Sequence, residues 1–356
     1  MNPEQGYIYF VGEKDIESGQ HLDLVKIGLV KKVDERTSQD RLSEHQTGNP
    51  RELVLLHNIE VPAVSTIEKM LHKHYAKFNI RGEWFKFRQE DIAKALNTLN
   101  EYKKEIAENL EYFENANKLK DQESNDQQKK SNKEIDEIYY KYWENDFKLK
   151  VCLEINDKIK KQAFAIYDQH ETAVEAGIEK PEPKISEYVI KTPRKPSEKI
   201  DEDKLKENEY EKYNEFCITT FKIVQKFIPN QKHNFTFYIE NIDLELSEFI
   251  KNTELIFGMQ SSNIKFFEEL NRYRMILSGY IAEFEWKDEL YKNKLKNFCG
   301  LYENIENICT WRRVNKATTK FDTTEFKKKY PEIASKYTFY KENTTATSMK
   351  NKFMGN

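Results

Sequence analysis

Within its first seventy residues the chain carries a phenol, an amine, a guanidinium, an imidazole and a carboxylate: Tyr9, Lys26, Arg41, His45 and Glu68. Tyr9 lies in the apolar run Tyr7–Val11 and Lys26 in a second run, Leu24–Leu29, so the two sit on adjacent strands of a hairpin. Arg41 and His45 are spaced i, i+4 and share one helix face. Glu68 belongs to a further helix among Ile67, Met70 and Leu71. Converging on one sheet face, this set suits hydrolysis of a phosphodiester. The carboxylate holds a divalent cation, a cationic side chain offsets charge on the phosphoryl oxygens, and a base activates water. Each residue alone has a plainer reading. Tyr9 can be a cross-strand aromatic, Lys26 an edge-strand charge, Arg41 a partner of Glu44 on a solvated helix, and Glu83 beside Trp84 a structural residue. His72 and His74, two apart on a helix, point to different faces and do not make a joint ligand pair. The case rests on order and spacing.

The elements that must position these residues are readable in outline. Tyr7–Val11, ended by Gly12, is a first strand, and a polar loop from Glu13 to Asp23 leads to the second strand, Leu24–Leu29. A helix starts near Thr37-Ser38 and stops at Gly48-Asn49-Pro50. Leu53–Glu60 is a third strand. Ser65 or Thr66 caps a helix from Ile67 to Phe78, whose apolar residues recur at helical spacing. Arg81-Gly82 breaks it, and Glu83–Phe87 is a short extended piece.

Beyond residue 90 the pattern turns helical. Leu96, Leu99, Lys103, Ile106, Leu110, Phe113 and Asn117 fit a seven-residue repeat. The polar stretch Lys118–Lys133 reads as a loop or solvated extension. A second helical stripe follows, interrupted at Asn156, and the two helices form a hairpin or coiled-coil stalk. Four prolines, Pro181, Pro183, Pro193 and Pro196, mark a linker. Residues 200–330 read as helical, with a core face running from Tyr213, Phe216, Phe221, Val224 and Phe227 to Phe284. The expected division is residues 1–90, 91–180, 181–198, 199–340 and a polar, frayed tail 341–356.

Composition bounds the rest. The 356 residues are 38% apolar, 13% aromatic and 33% charged, with 11 glycines, 9 prolines and a formal net charge of −3. This balance excludes a polycation that coats nucleic acid. Divided by position, residues 1–100 carry 14 − 15 = −1, residues 101–180 carry 14 − 19 = −5, and residues 181–356 carry 30 − 27 = +3. Lys316, Lys320, Lys327, Lys328, Lys329 and Lys336, with Arg312-Arg313 beside Trp311, form the clearest basic stretch. It reads either as a solvated face or as a phosphate-backbone contact through residues such as Lys316 and Lys320. No apolar run approaches the roughly 18–20 residues of a membrane span. The start of the chain lacks the layout of a signal peptide, and Cys152, Cys217, Cys299 and Cys309 form no CxxC pair, so free thiols in the cytoplasm are expected.

The series Tyr7-Ile8-Tyr9, Lys26-Ile27-Gly28, Arg41-Leu42-Ser43-Glu44-His45, Glu68-Lys69-Met70-Leu71-His72 and Arg81-Gly82-Glu83-Trp84-Phe85 resembles the GIY-YIG nuclease superfamily. The likeness is to the branch with KIG as second signature and a closing EWF, over about residues 6–88. It implies an α+β N-terminal domain, a small three-stranded antiparallel sheet flanked by helices, followed here by a mostly α-helical C-terminal region. It implies Tyr9 as general base or positioner of water, with Tyr7 on the same strand face also near the site. Lys26 stands where many members have a second tyrosine, close enough to depress a neighbouring phenol's pKa. Arg41 would contact the scissile phosphate, His45 matches a histidine of some members, and Glu68 would be the single carboxylate ligand of Mg²⁺ or Mn²⁺. No residue matches the asparagine that some members place late in the domain. The implied function is a metal-dependent DNA endonuclease, with helical segments for targeting or homo-oligomerisation, in a phage-defence, repair or mobile-element setting. The alternatives are a nucleic-acid-binding module with an inactive site and a helical scaffold.

Overall fold

A computed structural model of the chain describes residues 4–47, 49–178, 189–193, 198–230, 248, 251, 264–340 and 345–349. Three of the four linker prolines, Pro181, Pro183 and Pro196, lie outside them.

The N-terminal unit is built on a five-stranded antiparallel sheet. Its strands are β1 (Gly6–Lys14), β2 (His21–Lys31), β3 (Glu52–Val61), β4 (Asn79–Arg81) and β5 (Trp84–Lys86), in the order β3-β1-β2-β5-β4. The expected three strands are the long ones. β4 and β5 have three residues each, too few for an alternating pattern to show, and β5 extends the sheet by pairing with β2. The first hairpin loop is also shorter than expected, because the strands run on to Lys14 and from His21.

Helix α1 (Ser38–Gln46) begins where the sequence places it. Thr37 Oγ1 accepts from Asp40 N at 3.1 Å and Asp40 Oδ2 accepts from Thr37 N at 2.8 Å, a reciprocal cap. Gln46 ties its end to β3, donating to Arg51 O at 2.8 Å and accepting from Leu53 N at 2.8 Å. Helix α2 (Val64–His74) departs from expectation. Neither Ser65 nor Thr66 caps it. The chain enters through Ala63 in the left-handed region (φ 51°), and Val64 N donates to Glu4 O. It ends at His74, and a 3-10 turn, Ala76–Phe78, completes the segment.

Period-two alternation gives the sheet two faces. Ile8 and Phe10 of β1, with Val25 and Ile27 of β2, pack against Ile67, Met70 and Leu71 of α2. Tyr9, Val11 and Val30 face the other way and pack with Leu42 of α1. The first core continues into helix α3 (Gln89–Leu119) through Ala95, Leu99, Tyr102, Ile106 and Phe113.

After α3, strand β6 (Asn125–Lys129) occupies the stretch expected as a loop. Its polar side chains suit a solvent-facing edge strand. Helix α4 (Lys133–Glu175) follows. The region beyond residue 188 holds β7 (Val189–Pro193), β8 (Glu198–Ile200), α5 (Glu202–Asn208), α6 (Tyr210–Glu215), β9 (Cys217–Pro229), α7 (Ile264–Cys299), β10 (Tyr302–Ile305), β11 (Cys309–Phe321), α8 (Thr323–Lys329), α9 (Pro331–Tyr337), β12 (Thr338–Tyr340) and β13 (Thr345–Met349). The C-terminal region is mostly helical, with two corrections. β9 and β11 form a long antiparallel ribbon inside a sheet of order β6-β10-β11-β9. The β-branched content of Cys217–Pro229 favours a strand there over the helix read from its aromatic spacing. The tail pairs in part, β13 lying antiparallel to β7.

Helix α7 is the central strut. Trp286 and Leu290 enter the N-terminal core, with Trp286 stacked on Phe113 at 5.2 Å. Phe267, Leu270, Leu277 and Ile281 pack along Cys152, Ile159 and Ala163 of α4. Leu295 and Cys299 meet Trp311 beneath the second sheet. Thus α3 and α4 each pack against α7 rather than against one another as a hairpin. The four cysteines are free, and among the described residues no helix is long and apolar enough to cross a membrane.

Arg313, expected in the basic surface stretch, is fully buried. Its guanidinium donates to Leu119 O at 2.9 Å and Gly300 O at 2.7 Å and lies 4.0 Å from the Trp311 ring centroid. One planar fork thereby closes the C-terminal carbonyls of α3 and α7, where a cation is also favoured by the helix dipoles. Arg313→Met should lower stability by about 3 kcal/mol, because it leaves both carbonyls buried and unpaired. Arg313→Lys should recover only part of that loss. A urea titration followed by circular dichroism reads both, and a neutral Arg313→Met would contradict the assignment.

Candidate active site

The site lies where the middle of β1 and β2 meets α1 and the start of α2. Tyr9 pairs with Gly28 and Val11 with Lys26, so Tyr9, Gly28 and Lys26 share the face turned to α1. The Tyr9 ring lies flat across Gly28: a Cβ built on Gly28 would stand 2.4 Å from both Tyr9 Cζ and Oη. Only glycine fits that position, and the space it leaves is what lets the phenol reach across β2.

The Tyr9 hydroxyl meets two α1 side chains. His45 Nε2 is 3.3 Å away, and the Arg41 guanidinium also hydrogen-bonds it. The guanidinium can only donate, which leaves the single phenol hydrogen free to go to His45 Nε2. This requires the His45 proton on Nδ1. Burial, followed by the charges of Lys26 and Arg41, pushes the His45 pKa below the ordinary histidine value, so the ring is neutral at pH 7. Burial also pushes the Tyr9 pKa up, outweighing the pull of Arg41. The expected depression of a phenol by Lys26 is therefore absent. Lys26 is instead paired with Glu83. Arg41 is steered by Glu44, at 2.5 Å, and keeps part of its guanidinium open to solvent.

Glu83 is a residue that the sequence reading set aside. It stands in the β4–β5 turn, where Gly82 adopts φ 57° and buried Asn79 donates its side-chain amide to Gly82 O at 2.7 Å. Glu83 O accepts from Ile27 N at 3.1 Å, which fixes the turn beside Lys26. Burial would raise the Glu83 pKa, but the Lys26 hydrogen bond and charge hold it below the usual carboxylate range.

Glu68 approaches from α2. It has no hydrogen-bond or ion-pair partner among the described residues. Burial, with the neighbouring Glu83 charge, pushes its carboxyl up to about 7 despite Lys26. His72, one turn later on the same helix face, lies 2.9 Å from the Ile27 carbonyl oxygen, which can only accept, so Nε2 carries a proton. Burial lowers the His72 pKa, leaving a neutral ring. The i, i+4 relation of Glu68 and His72 was available in the sequence. His74 goes elsewhere, to the Tyr102 hydroxyl at 3.1 Å.

The structure thus brings Tyr9, Lys26, Arg41, His45 and Glu68 together and adds Glu83, with His72 at the rim. Tyr7 shares the strand face but turns to Glu60 and lies under the Lys32 ammonium at 5.8 Å. Lys316 and Lys320 are on β11 of the other sheet. Among the described residues no group of three or more His, Cys, Asp or Glu side chains clusters to hold a metal. Glu68 nevertheless fits one: a desolvated, unpartnered hard oxygen donor suits a cation that keeps most of its water, as Mg²⁺ does.

Residues 6–100 match the T5orf172 domain, a GIY-YIG-like, nuclease-associated domain. The match covers a little over a quarter of the chain and ends inside α3, whose Ala95 and Leu99 belong to the same core. No curated protein and no solved structure matches the chain.

Two outcomes test this geometry. Gly28→Ala should destabilise the protein by about 1–3 kcal/mol by overpacking against Tyr9. In a Tyr9→Ala background the same substitution should cost almost nothing, and equal costs in both backgrounds would refute the contact. The second concerns Glu68. Its carboxyl titrates at 4.5 unfolded and at about 7 folded. The fold favours the neutral acid, so stability is full below pH 4.5 and falls as pH rises to about 7. The total loss is on the order of 3 kcal/mol. Thermal unfolding without divalent cations should therefore show Glu68→Gln more stable than the native chain at pH 8 and indistinguishable at pH 4. Mg²⁺ should raise the melting temperature of the native chain at pH 8 and leave Glu68→Gln unmoved.

Proposed function

We propose that the chain is a metal-dependent endonuclease that hydrolyses phosphodiester bonds of DNA at this site, with the helical remainder serving to position the substrate. The observation that carries this reading is the placement, beside the middle of β1 and β2, of a desolvated Glu68 with a hydrogen-bonded Tyr9–His45–Arg41 cluster. The match of residues 6–100 to a nuclease-associated domain supports it.

In the proposed reaction water attacks phosphorus and the bond to the leaving oxygen breaks. Tyr9 Oη, freed of its hydrogen toward His45 Nε2, takes the proton of the attacking water, so the proton ends on the neutral imidazole. Buried Tyr9 is a relay, not a standing phenolate. The open N–H groups of Arg41 bind non-bridging phosphate oxygens while Glu44 holds the other side of the guanidinium. Lys26 keeps Glu83 ionised close to Glu68, raising the negative potential there. Glu68 would hold Mg²⁺ or Mn²⁺, which would supply Lewis-acid stabilisation of the charge that builds on the phosphate. The leaving oxygen is protonated by solvent.

Supercoiled and linear duplex DNA incubated with Mg²⁺ should be cut by the native chain and left intact with EDTA. Glu68→Ala and Arg41→Ala should each lower the rate at least a hundredfold while circular dichroism stays unchanged. Cleavage surviving in both variants would overturn the assignment.

A further inference from the structure

The ribbon of β9 and β11 has two faces of different chemistry. On the odd-numbered face Phe227, Trp311 and Arg313 pack beneath the sheet, with Trp311 Nε1 donating to Oε1 of exposed Gln225 at 3.0 Å, while Phe221, farther along the ribbon, is 73% exposed. The register pairs Lys222 with Lys316, Lys226 with Arg312 and Ile218 with Lys320, so all five cations lie on the opposite face. Neither strand contains an Asp or Glu. Arg312 has Glu303 at 3.4 Å, whereas Lys222, Lys226, Lys316 and Lys320 have no carboxylate partner among the described residues.

This separates them from the lysines that follow. Lys327 pairs with Glu198, Lys328 with Glu325 and Lys329 with Glu215, so the basic run of α8 is neutralised where it stands. Lys222, Lys226, Lys316 and Lys320 are left free for an outside anion. They are spaced i, i+4 along each strand, about 13 Å apart, and Arg312 to Lys320 spans about 27 Å. A rigid, linear row of this kind fits a polyanion with a regular backbone.

We propose that this face binds the sugar-phosphate backbone of duplex DNA without regard to sequence. The proposal takes its substrate class from the nuclease reading and places the affinity that reading requires. Three features select the partner. The cationic face carries no aromatic ring: its other positions are Ile218, Thr220, Val224, Ile228, Thr310, Val314 and Thr318. A single strand bound by stacking would need such rings. Its threonine hydroxyls, like its lysines, suit phosphate oxygens, and its one guanidinium is already turned to Glu303, so direct base reading is not provided for. A two-stranded ribbon also fits the major groove of B-form DNA, about 12 Å wide, and not the deep, narrow one of A-form RNA.

The test is fluorescence anisotropy of a labelled 24-base-pair DNA with the full chain in EDTA, where no cleavage occurs, as a function of salt. A variant with Lys222→Gln, Lys226→Gln, Lys316→Gln and Lys320→Gln is compared with Lys327→Gln/Lys328→Gln/Lys329→Gln. The first should bind at least tenfold more weakly, and its log–log salt slope should flatten by about 0.9 per lost contact, up to about 3.6. The second should match the native chain. Should the fourfold variant not fold, the cross-strand pair Lys222→Gln/Lys316→Gln should flatten the slope by up to about 1.8. Unchanged affinity and slope in the ribbon variants would overturn the proposal, as would equal or tighter native binding to duplex RNA or to the single strand. The nuclease reading is scored apart: loss of cleavage in Glu68→Ala with native DNA affinity leaves the ribbon assignment standing, and ribbon variants that bind normally leave the cleavage site standing.

Discussion

The close approach of Tyr9 to Gly28 is the constraint on which the site depends. The phenol on β1 lies over Gly28 of β2 where its hydroxyl meets α1, and the position beneath the ring must lack a side chain. Its hydroxyl is held between His45 and Arg41, which one turn of α1 presents together. The orientation of α1 is fixed in turn by the Thr37–Asp40 cap at one end and by Gln46 on β3 at the other. A single missing Cβ thus lets a strand, a neighbouring strand and a helix meet at one oxygen atom.

The second half of the site is governed by desolvation. Glu83 and Glu68 lie close together but are treated oppositely. Lys26 compensates the first and keeps it ionised, while the second has no partner among the described residues and is pushed toward neutrality. A half-buried carboxylate without a compensating charge costs stability. The same contrast recurs in the second sheet. Arg313 is buried and spent on helix ends, the lysines of α8 are spent on carboxylates, and the ribbon lysines have no carboxylate partner among the described residues. Helix α7 joins the regions, binding α2 through Glu285 to Lys73 at 2.5 Å and reaching the ribbon through Leu295 and Cys299.

What could be read from the sequence was what depends on local spacing. The α1 cap, the shared face of Arg41 and His45, and the three long strands all follow from neighbours within a few residues. The roles of Glu83, which reads as structural in the sequence, and of Asn79 come from a three-residue strand pairing with β2, which no short-range pattern records. His72 is set against His74 at i, i+2 in the sequence, whereas the polar residue that shares its helix face, Glu68, stands at i − 4. The ribbon was misread because aromatic residues three apart imitate a helix, and because period two shows only when both strands are aligned. Arg313 looked like its neighbour Arg312 in sequence, yet alternation sends the two to opposite faces of β11. The likeness of the five ordered motifs to GIY-YIG nucleases pointed to the right part of the chain but gave Lys26 a phenol for a partner where the structure gives it Glu83.

The central claim is that neutral His45, reached through Tyr9, is the proton acceptor of a metal-supported hydrolysis. Its most direct test is the single-turnover rate of duplex cleavage between pH 5 and pH 9 at saturating Mg²⁺, for the native chain and for His45→Asn. The account predicts that the native rate climbs about tenfold per pH unit in acid, breaks at or below the ordinary histidine range and stays flat to pH 9, and that His45→Asn loses the break along with most of the rate. A native rate still climbing at pH 9, as a tyrosinate base would give, an unchanged profile in His45→Asn, or no Mg²⁺-dependent cleavage at any pH would contradict it.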